Sequence, residues 1–252
     1  MIDIHTHILP HLDDGAKDTA TSLALLQEQM AQGVTTVVFT PHYYGRKHSP
    51  TRFLEKRSEA YERLKGNIPS ELNVRLGAEV HFSGINVPEY DEFCKLAIEG
   101  TTYLLLELPF TTKWTRELTE KIADFVYETG YTPIIAHVER YKEVLKKPTL
   151  VNELVEMGCL IQVNAQSFLD KKQKGFVFAL VKHGLVHCIG SDTHDMDTRK
   201  PCLAEAKIAF EKEGCAEAWE YIQSNMQKVL SNEEVEVCQT LPIKKKLFGG
   251  YR

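Results

Sequence analysis

Apolar residues cluster in seven short runs along the chain, at residues 2–5, 35–40, 74–80, 103–108, 133–138, 160–164 and 186–190. Runs of this length, apolar at consecutive positions, predict parallel strands covered on both faces. Between most of them the apolar positions change to helical spacing. The segment 19–32 reads as a helix, with Asp18 at its N-cap and Gly33 just past its end. Residues 116–129 place Leu118, Ile122, Phe125 and Val126 on one helical face and stop at Gly130. Helices are also predicted at 51–65, 149–157, 175–183 and 202–213. Strand followed by helix, repeated about seven times, argues for an α/β domain with a parallel sheet and helices outside it. An open doubly wound sheet and a closed barrel fit this rhythm equally.

The chain has 252 residues, 43% hydrophobic and 26% charged, which suits a globular protein with a sizeable core. Its formal net charge is −5, a poor match for nucleic acid. No run is long and apolar enough to span a membrane, so no stable membrane insertion is expected. No secretory signal pattern follows Met1, and Cys94, Cys159, Cys188, Cys202, Cys215 and Cys238 show no close pairing. A reduced, cytoplasmic protein is therefore expected. Residues 1–241 read as one domain. Residues 242–252, with Lys244, Lys245 and Lys246, read as a basic tail, frayed in solvent or else a docking element.

Polar residues at the ends of the apolar runs change the picture. The first strand ends in His5-Thr6-His7, two imidazoles on one side of a strand. The second runs into Thr40-Pro41-His42, the third ends at Glu79, and the fourth carries Glu107. The fifth ends at His137, and the seventh runs into Ser191-Asp192-Thr193-His194. Asp13-Asp14 follow the first strand. Packing does not place imidazoles and carboxylates at strand ends, whereas parallel α/β proteins build their sites there. His5, His7, Asp14, His42, Glu79, Glu107, His137, Asp192 and His194 exceed what one metal needs. Their mixed nitrogen and oxygen chemistry suits Mn, Fe or Zn. Clustered metals are the usual machinery of phosphate ester hydrolysis. Arg140 and Arg199, in loops on the same face, suit phosphoryl oxygens. His11 is near the site; Tyr43 and Tyr44 either flank an aromatic substrate or pack a loop. His48, His81, His183 and His187 belong to no set. No Cys-x5-Arg loop, GxxxxGK[ST] or GxGxxG is present.

The His-x-His opening, the Thr-Pro-His, the Ala136-His137-Val138-Glu139-Arg140 segment and the Ser-Asp-x-His resemble the polymerase and histidinol phosphatase (PHP) superfamily. Residues 3–10, Asp13-Asp14-Gly15, 136–141 and the Lys-Leu-Phe-Gly near the C-terminus are similar to capsule-locus tyrosine phosphatases of Gram-positive bacteria. Val138 departs from the proline common there. The resemblance implies a distorted seven-stranded (β/α)7 TIM-like barrel and three divalent metals, manganese first, with iron or zinc as alternatives. It implies His5, His7, Glu79 and Asp192 on one metal, Glu79 shared with a second held by Glu107 and His137, and Asp14, His42 and His194 on a third. Asp13 competes with Asp14 for the loop position. Arg140 and Arg199 are then phosphate ligands, and His42 a candidate acid.

The implied reaction is phosphotyrosine hydrolysis by a metal-bridging hydroxide, without a cysteinyl-phosphate. The implied partner is the phosphorylated tail of a bacterial tyrosine kinase governing capsular or exopolysaccharide synthesis. Rival readings are histidinol phosphatase or another small-molecule phosphomonoesterase, a nuclease, and a non-catalytic kinase-binding scaffold.

Overall fold

A computed structural model describes residues 1–82, 89–110, 113–237, 241–244 and 250–251. In chain order the first half contains β1 (Ile2–Thr6), α1 (Thr19–Ala31), β2 (Thr36–Phe39), β3 (His42–Tyr43), α2 (Pro50–Lys65), β4 (Asn73–Leu76), β5 (Glu79–His81), α3 (Tyr90–Cys94) and β6 (Tyr103–Glu107). The second half contains α4 (Arg116–Thr129), β7 (Thr132–Ile135), α5 (Lys142–Lys146), α6 (Leu150–Glu156), β8 (Leu160–Asn164), α7 (Lys174–Lys182), β9 (Cys188–Gly190), α8 (Leu203–Lys212) and α9 (Ala216–Leu230).

Every strand pair is parallel, in the orders β1-β2-β4 and β3-β5-β6-β7-β8-β9. The result is an α/β fold with a curled parallel sheet. The residues just past β9 reach back to β1: Asp192 N–H donates to His5 O at 2.8 Å and His7 N–H to Thr193 O at 2.9 Å. The strands β1, β6 and β8 are buried at every position, including the polar Asp3, His5, Glu107, Gln162 and Asn164 that they carry.

Two expected strands are bent. The second run, expected at 35–40, ends as β2, and a short β3 follows the bend at Thr40-Pro41; the third divides into β4 and β5 at Gly77-Ala78. Pro41 has no N–H for the ladder, and the Gly77 carbonyl instead accepts from Arg57 Nη1 at 2.6 Å. Pairing resumes beyond the bend, with His42 opposite Glu79, which turns both side chains toward the sheet's C-terminal end. The fifth strand stops at Ile135, short of the expected 138, because His137 adopts φ 33°.

Helix ends follow their local chemistry. Asp18 caps α1 by accepting from Thr21 N–H, and Ser49 caps α2 ahead of Pro50. Thr115 caps α4, and Gly130 closes it at φ 67°. The helices α3, α5 and α9 were not expected. The last of these packs behind β1 and β9, where Gln223 Oε1 accepts from Ile2 N–H and Met226 is buried. Within the segment expected as a tail, Ile243 is fully buried and its N–H meets Asn152 Oδ1. Cys238 and residues 245–249, including the Lys-Leu-Phe-Gly motif, lie outside the described residues.

Candidate metal centre

The C-terminal ends of the strands deliver the predicted side chains to one place. His5 and His7 are fully buried, with their Nε2 atoms 3.1 Å apart. Glycine makes room for them: a Cβ on Gly190 would lie 2.4 Å from His5 Cβ, and one on Gly15 2.0 Å from His7 O. The buried Glu79 carboxylate forms the hub. Its Oε2 lies 3.4 Å from His5 Nε2, 3.3 Å from His7 Nε2 and 2.8 Å from His42 Nδ1. Its Oε1 lies 2.7 Å from His137 Nε2, and Glu107 Oε1 is 3.9 Å from that same nitrogen. Asp192 Oδ1 is 3.5 Å from both His5 Nε2 and His7 Nε2. Asp14 Oδ1 completes the far side, 3.3 Å from His42 Nε2 and 3.4 Å from His194 Nε2.

All nine residues predicted as ligands thus converge. They form four overlapping donor groups: His7/Asp14/His42/His194, His5/Glu79/His137, His5/His7/Asp192 and His42/Glu79/Glu107. This grouping cuts across the division that the resemblance implies, since His7 joins the Asp14 group and His42 also reaches Glu79. The donors fit metal ions on a physical ground. His42 Nδ1, Glu79 Oε2 and His194 Nε2 are buried yet make no aligned hydrogen bond, although oppositely charged atoms stand close by. Lone pairs that crowd together without bonding each other call for a shared cation.

A surrounding shell orients these groups. Asp13 Oδ2 accepts from His7 Nδ1 at 2.7 Å and from His42 N–H at 2.9 Å. Asp13 therefore backs the donor cluster, and Asp14 is the aspartate that faces it. Burial opposes the Asp13 charge, but His7 and two backbone N–H groups hold its pKa down at about 2. Burial likewise opposes protonation of His7, and the Asp13 carboxylate outweighs it, raising that pKa to about 9 in the metal-free protein. Burial also disfavours the Glu79 charge, which the surrounding imidazoles restore, so its pKa falls well below the carboxylate norm.

Sequence reasoning missed most of this shell. Gln162 Oε1 accepts from His5 Nδ1 and His137 N–H, its Nε2 donates to Asn164 Oδ1, and Asn164 Nδ2 donates to Asp192 Oδ2 at 2.8 Å. Glu139, fully buried, accepts from Asn164 N–H and Ser167 Oγ. Asp3 accepts from the N–H groups of His5 and Ser191. His81, expected to belong to no set, in fact meets Glu107 Oε2 through Nδ1 at 3.1 Å. Its position two residues after Glu79 on one strand was the available signal.

The two arginines lie at the mouth. Arg140 Nη1 is 3.1 Å from Asp192 Oδ2 and Arg199 Nη2 is 2.6 Å from Asp192 Oδ1. Phe110 stacks on His137 and carries the Arg140 guanidinium 4.8 Å above its ring. Both His137 and Asp192 have positive φ, at 33° and 53°, a strained backbone that tight surroundings hold in place. Tyr43 packs in the core against Phe53, whereas Tyr44 lies between His42 and His81. His11 is exposed. His187 is a core histidine whose Nδ1 accepts from Ile161 N–H.

Comparison with known proteins agrees with this geometry. The family model for capsular polysaccharide synthesis proteins, CpsB/CapC, matches residues 1–231. The tyrosine-protein phosphatase YwqE of Bacillus subtilis is 34% identical over 258 residues, covering 100% of both chains. The tyrosine-protein phosphatase CpsB of Streptococcus pneumoniae is 29% identical, covering 92% of this chain and 99% of its own. A crystal structure from the pair YwqE and CpsB, described as metal-dependent tyrosine phosphatases, superposes with a TM-score of 0.85 at 33% identity, covering 97% of this chain and 100% of that one. A β-aspartyl dipeptidase of Fervidobacterium islandicum shares the fold alone, with a TM-score of 0.60 at 16% identity. By the extent of the family match and of the full-length relative, this chain belongs to the CpsB/CapC family of capsular polysaccharide synthesis proteins.

Proposed function

We propose that this protein is a metal-dependent protein-tyrosine phosphatase that acts on a tyrosine kinase controlling capsular or exopolysaccharide synthesis. The observation that carries this reading is the convergence of nine nitrogen and oxygen donors beneath two arginines. We read His5, His7, Asp14, His42, Glu79, Glu107, His137, Asp192 and His194 as ligands of three divalent ions, manganese first. Bound metals supply Lewis-acid activation of water and neutralise phosphoryl charge.

The chain's own groups do the rest. Arg140 and Arg199 stand where their forks grip non-bridging phosphoryl oxygens and stabilise charge that develops in the transition state. Both His42 nitrogens face carboxylates, Nδ1 toward Glu79 and Nε2 toward Asp14, so we assign His42 to ligation rather than to proton delivery. None of the five free thiols among the described residues belongs to the donor groups. Burial pushes the Cys159 and Cys202 thiols up to about 12, and reactive cysteines need the opposite.

The fold is read as a distorted seven-stranded barrel in which β2 with β3, and β4 with β5, each count as one bent strand. The hydrogen bonds between β1 and the segment after β9 support that count. Residues 1–241 form the catalytic domain and 242–252 its tail. A cytoplasmic location is supported by five free cysteines among the described residues. No described helix is long and apolar enough to cross a membrane. The reading is tested by phosphate release from a phosphotyrosyl peptide beside histidinol phosphate. Hydrolysis confined to histidinol phosphate refutes it.

A further inference from the structure

The metal centre opens sideways into a pocket of 220 Å³. Asp14 and His42 form its inner wall, and Lys47, His48, Phe53 and Lys56 its outer wall. Two lysines stand at this place in a chain of net charge −5. Among the described residues neither meets a carboxylate: Lys47 Nζ sits 4.7 Å from the Tyr44 ring centroid, and Lys56 Nζ lies 3.0 Å from His48 Nε2. The acids nearby are engaged elsewhere. Asp13 bonds His7, Asp14 faces His42, His194 and Arg199, and Glu55 pairs with Arg52. The outer wall is therefore a cationic surface with unspent hydrogen-bond donors, continuous with the candidate site.

We propose that this pocket receives an acidic side chain flanking the phosphotyrosine, so that Lys47 and Lys56 select acidic phosphotyrosyl segments. This inference rests on the phosphatase reading above. An extended peptide advances about 3.3 Å per residue. With the phosphoryl group at the Asp14 and His42 end, side chains one or two positions away reach the lysine end of the same pocket. Tyr44, half-buried against His42 at 5.4 Å between ring centroids, walls the passage between the two.

The test compares kcat/KM for three phosphotyrosyl peptides that differ only in Glu, Ala or Lys flanks. It uses the metal-loaded wild type, the double variant Lys47→Ala/Lys56→Ala and the double variant Lys47→Glu/Lys56→Glu. The wild type is expected to favour Glu over Lys flanks by about tenfold at low salt, the scale of two exposed ion pairs, and less as salt rises. The alanine pair loses the preference and the glutamate pair reverses it. Equal kcat/KM on all three peptides, or a preference unchanged in the double variants, overturns the lysine assignment and leaves the phosphatase reading standing. Failure to hydrolyse any phosphotyrosyl peptide overturns the phosphatase reading, and this inference with it.

Discussion

Gln162 Oε1 accepts from His5 Nδ1 at 3.2 Å, and this contact fixes which face of the imidazole is free to bind. With the proton on Nδ1, the Nε2 lone pair points at Glu79 and Asp192. Through Asn164 the same amide also steadies Asp192. Outer partners of this kind usually set metal affinity by about 10–100-fold. Gln162→Leu should weaken divalent-metal binding on that scale, read by calorimetric titration of the metal-stripped protein. Unchanged affinity in a folded variant would remove Gln162 from the positioning role.

Arg140 and Arg199 touch Asp192 but stand partly in solvent, at 39% and 34% side-chain exposure. Arg140→Ala and Arg199→Ala should each lower kcat by about 100-fold while metal content stays at the wild-type level. A loss of metal in step with activity would instead make them supports of Asp192.

Metal removal should soften the whole domain. The donor cluster ties together β1, β5, β6 and the ends of β7 and β9, and without cations it holds buried polar atoms that lack partners. Ions present at 100 times their Kd add about 2.7 kcal/mol of stability. Thermal unfolding of stripped protein should therefore begin at clearly lower temperature, with recovery on adding manganese. Identical melting curves would place no ion in the cluster.

His187 offers a pH test away from the metal centre. Burial lowers its pKa to about 4, against 6.5 in the unfolded chain. As pH falls through 6.5 the unfolded state takes up a proton that the native state refuses until about 4, so stability drops across that window. From pH 6.5 to 5 the loss is about 2 kcal/mol. His187→Asn keeps an acceptor for Ile161 N–H and cannot titrate. Urea unfolding of the metal-free proteins at pH 7 and pH 5 should show the wild type losing about that much more than the variant. Parallel losses would mean that His187 is solvated.

The strands and the candidate donor residues were legible in the sequence for the same reason. A buried parallel strand is a continuous apolar run, so an imidazole or carboxylate at its end stands out, as His5, Glu79 and His137 do. The bend at Gly77 was not legible, because the expected run 74–80 continues across it, and the short β3 beyond Pro41 lay outside the expected run 35–40. Nor was the orienting shell. Gln162 lies inside an apolar strand, where one amide carries no periodic signal, and its role depends on β8 lying beside β7. Asp13 and Asp14 are neighbours of one type, and only the fold of their loop separates backing from facing. The helix α9 was overlooked because no strand follows it.

The most direct measurement is phosphate release from a phosphotyrosyl peptide by metal-stripped protein, before and after divalent metal is restored. The account predicts no turnover without metal, turnover with it, and loss of the restored activity in His42→Ala. Turnover that survives complete metal removal, or silence with the metals demonstrably bound, would contradict it.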